Sequence, residues 1–174
     1  MTLPTRLLGV IAVTATAALL AIPSAASARA GDRTYQETYP VASKLCTEVA
    51  AGKRRRLQRF APRVLGDCAV LQSGFTVATS EVLAARATLG GAIAVDRAAI
   101  VAACPAPMIG HPPCENTRDA QTRAIVALRR QQIHAARRYF RVIEAHRRTF
   151  WNEIQALPGE RHLKADLPIA EHDS

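Results

Sequence analysis

The sequence predicts an all-α fold: a long antiparallel helical hairpin with a short N-terminal helix packed at one end, coiled-coil-like and cross-linked by disulfides. Apolar residues recur at spacings of three and four, the period of a helix, and few segments alternate as a strand does. Glycine and proline are concentrated in a few places that divide the chain. Two periodic segments of about forty residues flank one proline-rich loop, which is typical of a hairpin of three to four helices in all.

The first thirty residues predict a signal peptide. Arg6 precedes an apolar run over residues 7–22, and small residues then surround two cleavage positions, after Ala28 and after Ala30. The run is shorter than the roughly 20 residues of a membrane span, and no later run is expected to cross a membrane. We therefore expect a secreted or periplasmic protein, soluble once the signal is removed, in which cysteines can oxidise.

The mature chain is expected to begin with a loose polar segment, residues 31–39, within a helical domain over residues 31–157. Pro40 suits a first helical turn and Gly52 suits a stop, so a short helix is predicted over residues 40–51. One face of this helix carries apolar residues four apart: Val41, Leu45 and Val49. The run Lys53 to Arg56 is either a basic connector or one extra helical turn.

One long helix is predicted over residues 63–103. Its inner row alternates by three and four, as in a packed coiled coil, through Val64, Cys68, Leu71, Phe75, Ala78, Val82, Ala85, Leu89 and Ala92. Gly74 and the pair Gly90-Gly91 are weak points, and the pair is expected to kink or divide the helix. Asp96 falls on the same row and requires a polar partner or a hydrated level.

Residues 104–114 carry four prolines and are predicted to form a loop. Asn116 or Thr117 is expected to cap a second long helix over residues 118–157, which Pro158-Gly159 ends. The tail, residues 158–174, is polar, with three apolar residues that can contact the helices: Leu163, Leu167 and Ile169.

Four cysteines allow three pairings. Cys104 and Cys114 flank one loop and are the easiest to join, which leaves Cys46 with Cys68 to connect the first helix to the start of the long one. A metal site at Cys104, His111 and Cys114 is the alternative, but only three ligands are visible and their spacing is not that of a zinc knuckle. Two disulfides are therefore predicted, and no metal or cofactor is expected.

The second long helix carries an ordered row of arginines. Arg123, Arg130, Arg137, Arg141 and Arg148 lie within about 40° of one another on a helical projection of about 100° per residue. The row is either a solvated face, since arginine is a good helix former, or a surface that binds a polyanion through successive phosphates or sulfates. Local pairs with Asp119 and Glu144 are expected to use some of this charge.

The composition favours a binding or structural role over catalysis. The net charge of +9 becomes +8 when Arg6 is removed with the signal and +7 when Arg29 is also removed, which favours anionic partners. No nucleophile elbow, phosphate loop or paired metal-binding histidines occur, and His146 is expected to be a packed residue, so we expect no enzyme. We expect a non-enzymatic interaction module of the envelope or extracellular space, or an electrostatic binder of an anionic envelope polymer or lipid surface. Its partner is unknown, and self-association remains open; nucleic acid is not expected.

Overall fold

The computed structural model describes residues 29–169. The predicted signal sequence up to Ala28 and residues 170–174 lie outside the described residues. Between Arg29 and Ile169 the chain forms helices and no strand, so the all-α prediction is confirmed. The helices are α1 (Tyr35–Thr38), α2 (Pro40–Ala50), α3 (Ala61–Ala103) and α4 (Pro112–Gln155), with short 3₁₀ turns at Gln58–Phe60 and Ala106–Met108.

The segment before α2 is ordered, and the expectation that it is loose was wrong. Thr34 and Glu37 form a capping box, in which each side chain accepts a hydrogen bond from the other residue's backbone N–H, and this box begins α1. Tyr39 is fully buried, and its ring packs edge-on against Tyr35 and Phe75 at centroid distances of 5.6 and 5.9 Å. Aromatic burial, which polarity alone did not reveal, therefore fixes this segment on α3.

Helix α3 is continuous from Ala61 to Ala103 and runs through Gly90-Gly91 without a division. Both glycines lie where an added Cβ would contact nothing within 4 Å, so nothing presses on the helix there. At Gly74, by contrast, an added Cβ would lie 2.5 Å from Cε1 of His146 on α4. This glycine allows the two long helices to approach closely, and His146 is a packed, half-buried residue at that contact.

Helix α4 begins at Pro112, earlier than the predicted residue 118, and the expected caps at Asn116 and Thr117 were wrong. Proline suits the first turn because its fixed φ is helical and its missing N–H is not needed there. His111 precedes the helix with an extended backbone and makes no side-chain capping bond. The helix ends at Gln155, before Gly159 at φ 88°.

The core lies at one end of the two long helices. Residues near the start of α3 contact residues near the end of α4, as in the ion pair of Arg63 with Glu153. The buried residues cluster where α2, the first half of α3 and the second half of α4 meet. Beyond Val82 and before Tyr139, Ile93 and Cys114 are the buried residues of this part of the chain. Among residues 29–169, therefore, no third layer of helix covers the far end of the two long helices.

Both predicted cysteine pairs are at disulfide distance. Cys46 and Cys68 join α2 to α3 with Cα atoms 5.9 Å apart. Cys104 and Cys114 join the end of α3 to the start of α4 with Cα atoms 4.9 Å apart. Because the Cys104 and Cys114 sulfurs are bonded to each other, they are not free to bind a metal as the alternative site would require.

The tail packs against the core up to Ile169. Leu163 and Ile169 contact the core cluster as expected, whereas Leu167 is 81% exposed and does not. Two acids of this segment, Glu160 and Asp166, are buried.

Candidate functional site

The five arginines of the arginine row (Arg123, Arg130, Arg137, Arg141 and Arg148) are all exposed on α4. They lie on the face opposite Tyr139, Ile143 and Phe150, which pack into the core. Of the predicted local pairs, Glu144 with Arg148 is present at 2.7 Å. Asp119 instead lies 3.8 Å from Arg118. Within residues 29–169 the other four arginines of the row make no ion pair, so their guanidinium groups are available to an anion.

The charge of this part of α4 is uniformly positive. Between Asp119 and Glu144 the helix carries six arginines and one histidine and no acidic residue. Two of the six, Arg129 and Arg138, flank the row on either side. Side chains of one sign over this length, about 36 Å at about 1.5 Å per residue, produce an extended positive potential that attracts polyanions.

In contrast to the arginine row of α4, the outer face of α3 carries a row of uncharged residues. Two heptad positions along this face are occupied throughout by exposed, uncharged and mostly small residues. We call these residues the outer row; they are Val70, Ser73, Val77, Ser80, Ala84, Ala87, Gly91, Ala94, Ala98 and Val101. Val77 is 56% exposed and Val101 is 75% exposed. The spacing repeats every seven residues, the repeat by which helices pack side by side, and small residues allow a second helix to approach closely. Sequence reasoning followed the inner row and missed this one, although the same period reveals it.

Helix α3 also meets the length and composition of a membrane span, contrary to the expectation that no later segment does so. The span covers Gln58–Ala103, and 28% of its most apolar window is buried. The reason is that α3 is rich in alanine, valine, leucine and isoleucine and has few charged residues. Its inner face is nevertheless packed on α2 and α4 and cross-linked to both, and α4 would bring its arginines into the bilayer.

A buried polar cluster attaches the tail to the core. Asp166 accepts hydrogen bonds from the backbone N–H groups of Val41 and Ala42 at 2.7 and 3.1 Å and from Trp151 Nε1 at 3.2 Å. Because the first N–H groups of a helix have no partner within it, Asp166 caps α2 from a distance of more than a hundred residues along the chain.

Glu144 is the second acid of this cluster. It accepts hydrogen bonds from Arg147 at 2.7 and 2.8 Å, from Arg148 at 2.7 Å and from the Ile169 N–H at 3.1 Å. The hydrogen bonds from Arg147, which outweigh the effect of burial, lower the pKa of Glu144 to about 2. Arg147 in turn donates to the Asp166 carbonyl at 2.7 Å. Every charge here is satisfied within the protein, so the cluster is structural.

The described chain brings together no metal-binding group of three or more His, Cys, Asp or Glu. Comparison of the whole chain with protein-family models, with curated proteins and with solved structures gave no match. The two exposed helix faces are accordingly the features from which a function is inferred.

Proposed function

We propose that this chain is a non-enzymatic interaction module of the cell envelope or extracellular space, and that it pairs with a second copy of itself through the outer row of α3. The observation that supports this is the absence of charge along that row over about 45 Å of exposed helix. Such a face offers nothing for a charged partner to complement, whereas a face of the same kind is present on every other copy. A two-fold contact of this type is self-complementary.

The pairing also requires that α3 and α4 form the predicted antiparallel hairpin. The contacts of Arg63 with Glu153, of Gly74 with His146 and of Cys104 with Cys114 support this arrangement. In it, the outer row of α3 and the arginine row of α4 face opposite ways. Two copies joined through α3 therefore keep their arginine rows apart, which avoids repulsion between them.

The oligomeric state of the oxidised, exported protein tests this proposal. We expect sedimentation to show a concentration-dependent dimer, and Ala84→Glu, in the middle of the row, to convert it to a monomer by placing a charge in an apolar contact. Ala120→Glu makes the same change at an exposed position of α4 and should leave the dimer intact. A native protein that stays monomeric at millimolar concentration would contradict the proposal.

A second function, electrostatic binding of an anionic polymer or lipid surface, is supported by the arginine row. We expect binding to heparin that weakens steeply as salt rises, because each neutralised anion releases counterions. The double change Arg130→Glu/Arg137→Glu should abolish it. Arg55→Glu/Arg56→Glu reverses the same charge in the exposed connector and is the control. Equal loss in both variants would mean that net charge, not the row, attracts the polymer.

A further inference from the structure

A cavity of about 500 Å³ lies where the N-terminal segment, the start of α2, α4 and the tail meet. Its volume is within the range of small-molecule sites, and most of its lining is apolar. The apolar walls are formed by Val41 of α2, by Phe140 and Ile143 of α4, and by Pro168 and Ile169 of the tail. The cavity thus lies between four segments, and hydrogen bonds of the polar cluster join three of them, α2, α4 and the tail.

The lining of this cavity carries three basic side chains and two acidic ones, so its net charge is positive. Its two acids are occupied: Asp166 caps α2, and Glu37 is held in the capping box by Thr34. The basic groups are Arg29, Arg33 and Lys164, and the Lys164 side chain is exposed at the rim. An apolar interior with a basic rim is complementary to a molecule that has one apolar chain and one negative head.

We infer that this cavity binds a single-chain anionic amphiphile, with its hydrocarbon chain against Val41, Phe140 and Ile169 and its carboxylate beside Lys164. Transfer of the hydrocarbon chain from water into the apolar cavity is favourable. The carboxylate remains at the surface, where the exposed lysine ammonium attracts it. This site is separate from the outer row of α3 and from the arginine row, and it does not depend on either proposed function.

Titration of the exported, oxidised protein with sodium dodecanoate below its micellar concentration tests the site. We expect saturable binding of one molecule per chain, with contacts from the chain protons to the methyl groups of Val41 and Ile169 in nuclear magnetic resonance spectra. Dodecyl maltoside and dodecyltrimethylammonium carry the same chain on a neutral and a cationic head, and both should bind more weakly. Butanoate, which keeps the charge and lacks the chain, should not bind.

Two charge reversals separate the site from general attraction. Lys164→Glu should weaken dodecanoate binding by about fivefold, since it replaces one surface attraction by a repulsion. Lys44→Glu makes the same change at an exposed position of α2 that does not line the cavity, and should have no effect. Arg130→Glu/Arg137→Glu should likewise leave this binding unchanged. Equal binding of the three dodecyl compounds, an unchanged affinity in Lys164→Glu, or contacts located on α3 instead would each overturn the inference.

Discussion

At the scale of single residues, the buried acid Glu144 makes the stability of the fold depend on pH. Glu144 has a folded pKa of about 2 against an ordinary value of 4.5, so its contribution to stability is complete above pH 4.5 and is lost as the pH falls toward 2. The cause is that protonation removes the charge that Arg147 and Arg148 bind.

We expect Glu144→Gln to lower the free energy of unfolding by about 2–3 kcal/mol at pH 7 and to remove much of the loss between pH 5 and pH 2. Urea unfolding at several pH values measures both effects. Glu153→Gln, at an exposed partner of Arg63, is the control and should retain the acid-dependent loss. An equal pH dependence in the native protein and in Glu144→Gln would show that this acid is not its source.

Two glycines of α3 should respond oppositely to the same substitution. Gly74→Ala is expected to destabilise by about 1–2 kcal/mol because its Cβ meets the His146 ring. Gly90→Ala, in open space on the same helix and outside the outer row, should stabilise by about 0.5–1 kcal/mol because alanine is the better helix former. Thermal unfolding measures both, and the double variant Gly74→Ala/His146→Ala should show less than the sum of its single changes. Additive effects would mean that the ring turns away freely.

The contacts of the N-terminal arm, residues 29–32, differ in what they imply for the two cleavage positions of the predicted signal peptide. Ala30 is buried in the core, its carbonyl accepts a hydrogen bond from Arg86, and Asp32 pairs with the same arginine at 2.6 Å. Cleavage after Ala28 would retain these contacts, whereas cleavage after Ala30 would remove a buried residue and place an ammonium group beside Arg86. If the predicted signal peptide is cleaved, we expect the intact mass of the mature chain to correspond to one that begins at Arg29. A mass that begins at Gly31 would contradict this.

At the scale of elements, the two ends of the long helices differ in stability. Near Cys46 and Cys68 the helices are covered by α2 and the tail, whereas near Cys104 and Cys114 no third layer from the described part of the chain covers them. Asp96, for which the sequence predicts either a polar partner or a hydrated level, is half-buried in this part of α3. Few buried contacts permit local opening.

Hydrogen exchange should therefore be faster in residues 84–103 and 115–135 than in residues 64–82 and 139–154. Removal of the far disulfide by Cys104→Ser/Cys114→Ser should increase this difference while leaving the core end protected. Cys46→Ser/Cys68→Ser should instead lower the global free energy of unfolding, by about 3 kcal/mol on the chain-entropy model. Uniform protection along both helices would contradict the assignment of a weak end.

The helix period and the cysteine spacing predicted the all-helical class and the two cysteine pairs, and the departures from the predicted elements have definite physical causes. The inner row from Val64 to Val82 is buried as predicted because it repeats over many turns. The start of α4 was placed too late because Pro112 was interpreted as a helix breaker although proline is favoured at a first turn. The role of Asp166 could not be predicted, since no local pattern relates a tail carboxylate to the start of α2.

At the scale of the whole molecule, the proposed dimer and the arginine row make a joint prediction. Two copies joined through α3 would present two arginine rows, and a polymer long enough to contact both would bind with an increased effective concentration. Ala84→Glu, as a monomer, should then lose about tenfold or more of its affinity for long heparin while its affinity for a short heparin oligosaccharide hardly changes. Affinity measured for both lengths at one salt concentration tests this. An equal loss for both lengths would mean that the substitution alters the row itself, and no loss for either would mean that the two faces act independently.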